Sequence, residues 1–151
     1  MAYSISKEEA QLLLEKILKQ NGYSVTKTRK IVFDALWGQD PQTMREIYGK
    51  TIDKIDRSSL YRTSELFQQL GLVERLAIGW KYKLELSDAF VHHHHHISCL
   101  GCDTVKVIDE HQQIEQLIHA IAQKYDISPD RHQFEIQGYC KNCRAKNQRH
   151  A

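Results

Sequence analysis

Apolar positions recur with helical spacing through the first half of the chain. Ser6 followed by Glu9 has the form of a capping box, and Ala10, Leu13, Leu14 and Ile17 then fall on one helix face. Asn21-Gly22 stops that helix. Thr26 opens a second one, carried by Ile31, Val32, Ala35 and Leu36 and ended by Gly38. After Asp40-Pro41, Thr43 and Glu46 make another capping box for a short third helix. Asp56 or Ser58 caps a fourth, which runs to Leu70 and meets Gly71. Leu60, Phe67 and Leu70 are its apolar positions, with Ser59 and Arg62 on other faces.

The period then shortens. Leu72 to Leu76 and Lys81 to Leu86 read as two strands around Gly79, with Tyr82, Leu84 and Leu86 facing inward and Lys81, Lys83 and Glu85 facing water. Helices followed by a β-hairpin are the order of a winged helix-turn-helix. Ser87 to Val91 reads as a hinge. His92 to Cys99 and Thr104 to Ile108 read as strands, and Ile114, Leu117, Ile118 and Ile121 mark an amphipathic helix that ends near Tyr125. Phe134 and Ile136 alternate in a last strand leading to Cys140. The expected class is α+β: a winged-helix DNA-binding domain over 1–86, a hinge over 87–91 and a small α/β metal-binding dimerisation domain over 92–151.

A chain of 151 residues, 41% apolar and 26% charged, can bury a core in one or two small domains. No apolar run approaches the roughly 18 residues that cross a bilayer, and no secretory signal opens the sequence, so a cytoplasmic protein with no membrane partner is expected. The net charge of +2 is less informative than its distribution. Up to Leu86 there are 14 Lys and Arg against 11 Asp and Glu, a modest basic excess that suits an acidic partner such as nucleic acid. All four Cys and all nine His come after Val91, which assigns any metal chemistry to the second half.

Cys99 and Cys102, and Cys140 and Cys143, are two C-x-x-C pairs. Each spacing lets two thiolates reach one ion, and two pairs complete a tetrahedral sulfur site for structural zinc. Disulfides or redox C-x-x-C chemistry are the alternatives, and a reducing compartment disfavours the first. The run His92 to His96 alternates sides in a strand: His94 and His96 share one face with His92, and His93 and His95 share the other. Either face can clamp an ion, or the strand is a solvated polar edge. Glu115 lies on the amphipathic helix between His111 and His119, two residues that read as a solvated face.

In this order the residues resemble the ferric uptake regulator superfamily over roughly 12–143. The resemblance is carried by Thr26-x-x-Arg29, Ser59-Leu60-Tyr61-Arg62, Leu84-Glu85-Leu86, His92 to Cys102, and Cys140 to Cys143. It implies a dimeric, metal-dependent repressor that binds a pseudo-palindromic double-stranded DNA operator, and no enzyme. Arg29, Ser59, Tyr61 and Arg62 are then the DNA-binding residues. Glu85, His94 and His96 form a hinge sensor site, and His93, His95, Glu115 and His132 a second metal site.

The chain departs from the family pattern at several positions. His95 stands where the family usually has Asp. The His that often completes the hinge site is absent, with Asp40 closest to its place. Val107 replaces an acidic residue, for which Asp109, of the same strand parity, is the substitute. The regulatory ion implied is Zn²⁺ or Fe²⁺, with Mn²⁺ also compatible with His and carboxylate donors. A constitutive zinc-stapled DNA-binding protein without sensing is the competing class. A His-site metalloenzyme is disfavoured because no H-E-x-x-H helix is present.

Overall fold

The computed structural model describes residues 5–129 and 132–147, without the side chains of Asp109, Lys146 and Asn147. The expected domain ends at Met1 and Ala151 lie outside the described residues. The chain divides into two compact units, Met1–His92 and His93–Ala151.

In the first unit, four helices precede a hairpin: α1 (Lys7–Gln20), α2 (Lys27–Leu36), α3 (Met44–Thr51), α4 (Arg57–Gln69), β1 (Val73–Ile78) and β2 (Lys81–Leu86). Each helix starts on a side chain that accepts a backbone N–H of its first turn: Ser6 for α1, Thr26 for α2, Thr43 for α3 and Asp56 for α4. Ser6 with Glu9 and Thr43 with Glu46 are both complete capping boxes. Gly22 and Gly71 follow α1 and α4 with φ of 77° and 66°, backbone that costs a side-chain-bearing residue strain.

The helices bury Leu14, Leu18, Val32, Phe33, Leu36, Ile47, Leu60 and Phe67 against Leu72 and Leu84 of the hairpin side. Phe90 joins this core edge-on to Phe33, with ring centroids 5.1 Å apart. Residues 87–91, expected as a hinge, thus include two core members of the first unit, Phe90 and Val91. The hairpin is clasped to the α2–α3 connection by a pair of backbone bonds between Gln42 and Leu84, at 2.9 and 2.7 Å. Glu85, expected on the water-facing side of β2, is buried.

The second unit carries β3 (His94–Cys99), β4 (Val105–Asp109), α5 (Gln112–Lys124), β5 (Glu135–Gly138) and α6 (Lys141–Asn147) in a sheet of order β4-β3-β5. β3 pairs antiparallel with β4 and parallel with β5. His92 and His93 precede β3, which is therefore shorter than the strand expected from His92 to Cys99, and α6 was not expected from the sequence. This unit has almost no apolar interior. Among its described residues, the buried ones are Cys99, His95, His96 and Ser98. The apolar positions of α5 that fit the helical period so well, Leu117 and Ile121, are exposed. No helix among the described residues is long and apolar enough to cross a membrane.

Phe67 is fully buried in the first unit's core, so Phe67→Ala should lower its stability by about 3–5 kcal/mol. Urea unfolding followed by the fluorescence of Trp37, whose ring lies 5.9 Å from Phe33, measures this. A midpoint equal to that of the parent would mean that these helices do not share one core.

Candidate metal centres and nucleic-acid face

The parallel pairing of β3 with β5 sets Cys99 opposite Gly138 and brings the two C-x-x-C segments together. Leu100 N–H donates to the Gly138 carbonyl at 2.8 Å, which extends that pairing one step past the strands. Cys102 sits in the tight turn after β3. Cys140 immediately precedes α6, and Cys143 lies on its first turn. The four sulfurs lie within 4.8 Å of one another. Cys102 Sγ and Cys140 Sγ are 3.9 Å apart and all four cysteines are free, so the cluster is not a pair of disulfides.

The electrostatics fit a dication. The Cys140 backbone N–H donates to Cys99 Sγ at 3.2 Å and holds that thiol down, at about 6. Thr104, 3.1 Å from Cys102 Sγ, lowers Cys102 as well. Cys143 is pushed up to about 12, first by Cys140 and then by burial and the other sulfurs. Crowded thiols cannot all ionise beside one another, but a central cation removes that conflict. Four thiolates at this spacing suit zinc and leave no coordination position open.

The second cluster joins His93, His95, Glu115 and His132, whose ligand atoms also lie within 4.8 Å of one another. His95 Nε2 is 2.7 Å from Glu115 Oε1, and His132 Nε2 is 3.1 Å from Glu115 Oε2. The Nε2 atoms of His93 and His132 face each other at 2.9 Å. Three imidazoles thus turn the same nitrogen toward one carboxylate. Burial pushes the Glu115 carboxyl up, but the His95 hydrogen bond and the surrounding imidazoles hold it below its ordinary value. The side chain of His95 is fully buried and its Nδ1 has no hydrogen-bond partner among the described residues. Three nitrogens and a carboxylate suit Zn²⁺, Fe²⁺ or another first-row dication.

On the other face of β3, the rings of His94 and His96 lie 4.8 Å apart and His96 is buried. Glu85 is on β2 of the first unit. Asp40 is exposed on the α2–α3 connection. Asp109 pairs with His94 through its backbone, and its side chain lies outside the described atoms. His111 and His119 are exposed, as the solvated reading expected.

The nucleic-acid candidates lie on or near α4. Leu60, Thr63, Ser64 and Phe67 are buried, which turns Tyr61 and Arg62 outward; Tyr61 is 42% exposed. Ser59 donates its hydroxyl to the Asp56 carboxylate at 2.6 Å and its N–H at 2.9 Å, so its hydroxyl proton is committed to the helix cap. The Arg29 guanidinium donates to the Ser24 carbonyl and lies 5.4 Å from the Tyr23 ring centroid. Arg57, one turn before Tyr61, lies on the same exposed face of α4.

Three comparisons bear on this arrangement. The model of the family described as "Ferric uptake regulator family" matches residues 20–137. A "Ferric uptake regulation protein" from Yersinia pestis is 32% identical over 147 residues, covering 90% of this chain and 95% of that protein. Among solved structures, the Vibrio cholerae ferric uptake regulator is 32% identical with a TM-score of 0.72, over 83% of this chain and 98% of that one. The Helicobacter pylori ferric uptake regulator shares the fold with a TM-score of 0.80 at 23% identity, over 95% of this chain and 97% of that one.

Gly101 lies between the first two cysteines where a side chain does not fit. A Cβ there would stand 2.7 Å from Cys143 Cβ and 2.9 Å from its sulfur. Gly101→Ala should therefore force the two C-x-x-C segments apart and lower zinc content below one ion per chain, as read by elemental analysis. Full zinc occupancy and unchanged thermal stability in that variant would show that the second segment approaches less closely.

Proposed function

The chain belongs to the ferric uptake regulator family, and from that premise we propose that it is a homodimeric repressor whose grip on a pseudo-palindromic operator is strengthened by a divalent ion at Glu85, His94 and His96. Family members are metal-responsive transcriptional regulators that bind operator DNA and form dimers. This chain is a transcription regulator and not an enzyme.

The observation that carries the reading is β3. Five consecutive histidines run into a strand just before the first sulfur pair, and the strand's period of two separates them into pairs on opposite faces. One strand thereby contributes ligands to three sites of different purpose. The sulfur cluster holds zinc as part of the fold. His94 and His96, with Glu85, hold the exchangeable regulatory ion, Zn²⁺ or Fe²⁺, with Mn²⁺ also matching these donors. Asp40 or Asp109 stands in for the ligand that the family pattern places elsewhere. His93, His95, Glu115 and His132 hold a second ion, with His95 making that site richer in nitrogen.

Glu85 belongs to the winged-helix half and the two histidines to the metal-binding half, so an ion that needs all three favours some arrangements of the halves over others. Binding energy that differs between arrangements shifts their population. DNA affinity and metal affinity are then linked, each raising the other by the same factor. In the operator complex, Tyr61 contacts thymine methyls while Arg62 and Arg29 hold backbone or read guanine, as the family position of these residues implies. The dimer also gives the exposed apolar side chains of α5 a partner, which a single copy of this unit does not.

The test is an operator titration by fluorescence anisotropy, with each divalent ion in turn, on the parent and on His96→Ala. The variant should stay folded, dimeric and loaded with one zinc, yet lose the metal-dependent gain in affinity, a coupling of about 1–3 kcal/mol. If the parent binds equally with and without added metal, the protein is a constitutive DNA-binding protein. If His96→Ala still responds as the parent does, the regulatory ion is held elsewhere.

Tyr61→Ala should weaken operator binding by about 1–3 kcal/mol and relax the preference at one thymine position. Arg62→Ala, if it holds phosphate, should weaken all sequences alike and reduce the salt dependence by about one charge. Competition titrations against duplexes altered at single positions, repeated across salt concentrations, separate the two. Parent-like affinity in both variants would place another surface in the groove.

A further inference from the structure

We propose that Arg57, on the first turn of α4, reads the edge of a guanine beside the thymine met by Tyr61, with the Tyr61 ring as the platform that orients its guanidinium. The inference rests on the operator-binding reading of α4.

The exposed stripe of α4 runs through Arg57, Ser58, Tyr61, Arg62 and Glu65, opposite the buried stripe of Leu60, Ser64 and Phe67. In helix-turn-helix proteins the N-terminal residues of the recognition helix reach the base edges. Arg57 is the first residue of α4, nearer that end than Tyr61 or Arg62. Its guanidinium carbon lies 5.6 Å from the centroid of the Tyr61 ring, and one Nη donates to the Tyr61 hydroxyl at 3.5 Å. That single long contact leaves most of the five donors of a guanidinium available.

The obvious competitor for those donors is already engaged. Asp56, next in sequence, accepts from both the N–H and the hydroxyl of Ser59, and no carboxylate among the described residues pairs with Arg57. A side chain that would sweep solvent freely is thus biased toward one ring while keeping its hydrogen-bonding edge open. Less rotamer freedom is lost when it meets a base.

The chemistry selects the ligand. Guanine presents two acceptors, O6 and N7, on its major-groove edge, and a planar guanidinium meets both at once. Adenine offers a donor where guanine has O6, so the same fork is repelled there. The Tyr61 ring meets a thymine methyl by apolar contact. The two side chains together therefore read two neighbouring bases with two different chemistries.

The full-length zinc-loaded protein, with added Zn²⁺ or Fe²⁺, is used to select binding sites from a random duplex DNA library. Arg57→Ala and Arg57→Lys are treated in the same way, with circular dichroism confirming that their helix content equals the parent's. The parent should select a guanine in each half-site. Replacing it with 7-deazaguanine, which lacks the N7 acceptor, should weaken the parent on the order of 10-fold. The same replacement should leave Arg57→Ala unaffected, and that variant should select no preference at this position. Lysine, a point charge without the fork, should not restore it. The proposal is overturned if Arg57→Ala selects the parent's motif and merely binds every duplex more weakly with a shallower salt dependence, because Arg57 then holds phosphate. A parent that selects no motif with any metal overturns the operator-binding reading, and this proposal falls with it.

Discussion

The second unit depends on the sulfur cluster, because it has little else to hold it together. The second unit spans His93–Ala151, a size at which a single core is marginal even when it is apolar. Among its described residues the buried ones are two histidines, a serine and a cysteine. The sheet orders β3 against β5 across a long stretch of chain, and closing such a loop costs entropy that few apolar contacts are present to offset. A zinc ion in a structural cysteine site contributes on the order of 10 kcal/mol or more to folding. That is the scale required, and it acts where β3, β5 and α6 meet.

The same strand explains why the histidines are arranged as they are. Anchored at Cys99, β3 cannot slip by one residue without moving every histidine to the wrong face. Register and metal chemistry are therefore coupled: the sulfur site fixes the strand, and the strand assigns His94 and His96 to one side and His95 to the other. The buried His95 has one nitrogen on Glu115 and, among the described residues, no partner for the other, a costly arrangement for an imidazole that serves packing alone. Three Nε2 atoms converge there on one carboxylate, a donor set that suits a first-row dication.

How far the sequence foretold all this follows from the range of each interaction. The helix starts at Ser6, Thr26 and Thr43 were legible, and the fourth was narrowed to Asp56 or Ser58, because a cap and the N–H it accepts lie within one turn of chain. The two C-x-x-C pairs were legible because their spacing is a chemical constraint. The family pattern then tied Glu115 and His132 to the β3 histidines, a juxtaposition that local pattern does not contain. α6 escaped because Lys141–Asn147 is short and polar, with no apolar period to mark it. The burial of Glu85 escaped because alternation predicts which face a side chain takes and not what covers that face. Ser59 was read as a DNA contact, and its hydroxyl is held by the cap residue Asp56, a bond that no spacing rule supplies.

The contrast between the two halves constrains how metal reaches DNA. The recognition helix needs no ion to form. Asp56 caps it, Leu60 and Phe67 anchor it in a core shared with α1 and α2, and no residue of the sulfur or His93–His132 clusters belongs to that unit. Metal cannot switch affinity by folding the reading head, because that head is folded by apolar burial alone. The sulfur and His93–His132 clusters lie in the unit with almost no apolar core among its described residues. In the proposed dimer, an ion there changes how firmly two heads are held at the separation of two half-sites, and affinity for a two-fold operator is sensitive to that separation even when each head is unchanged. On the proposed function, therefore, the switch is a matter of presenting two finished surfaces, and the residues proposed to set sequence preference are separable from those proposed to set metal response.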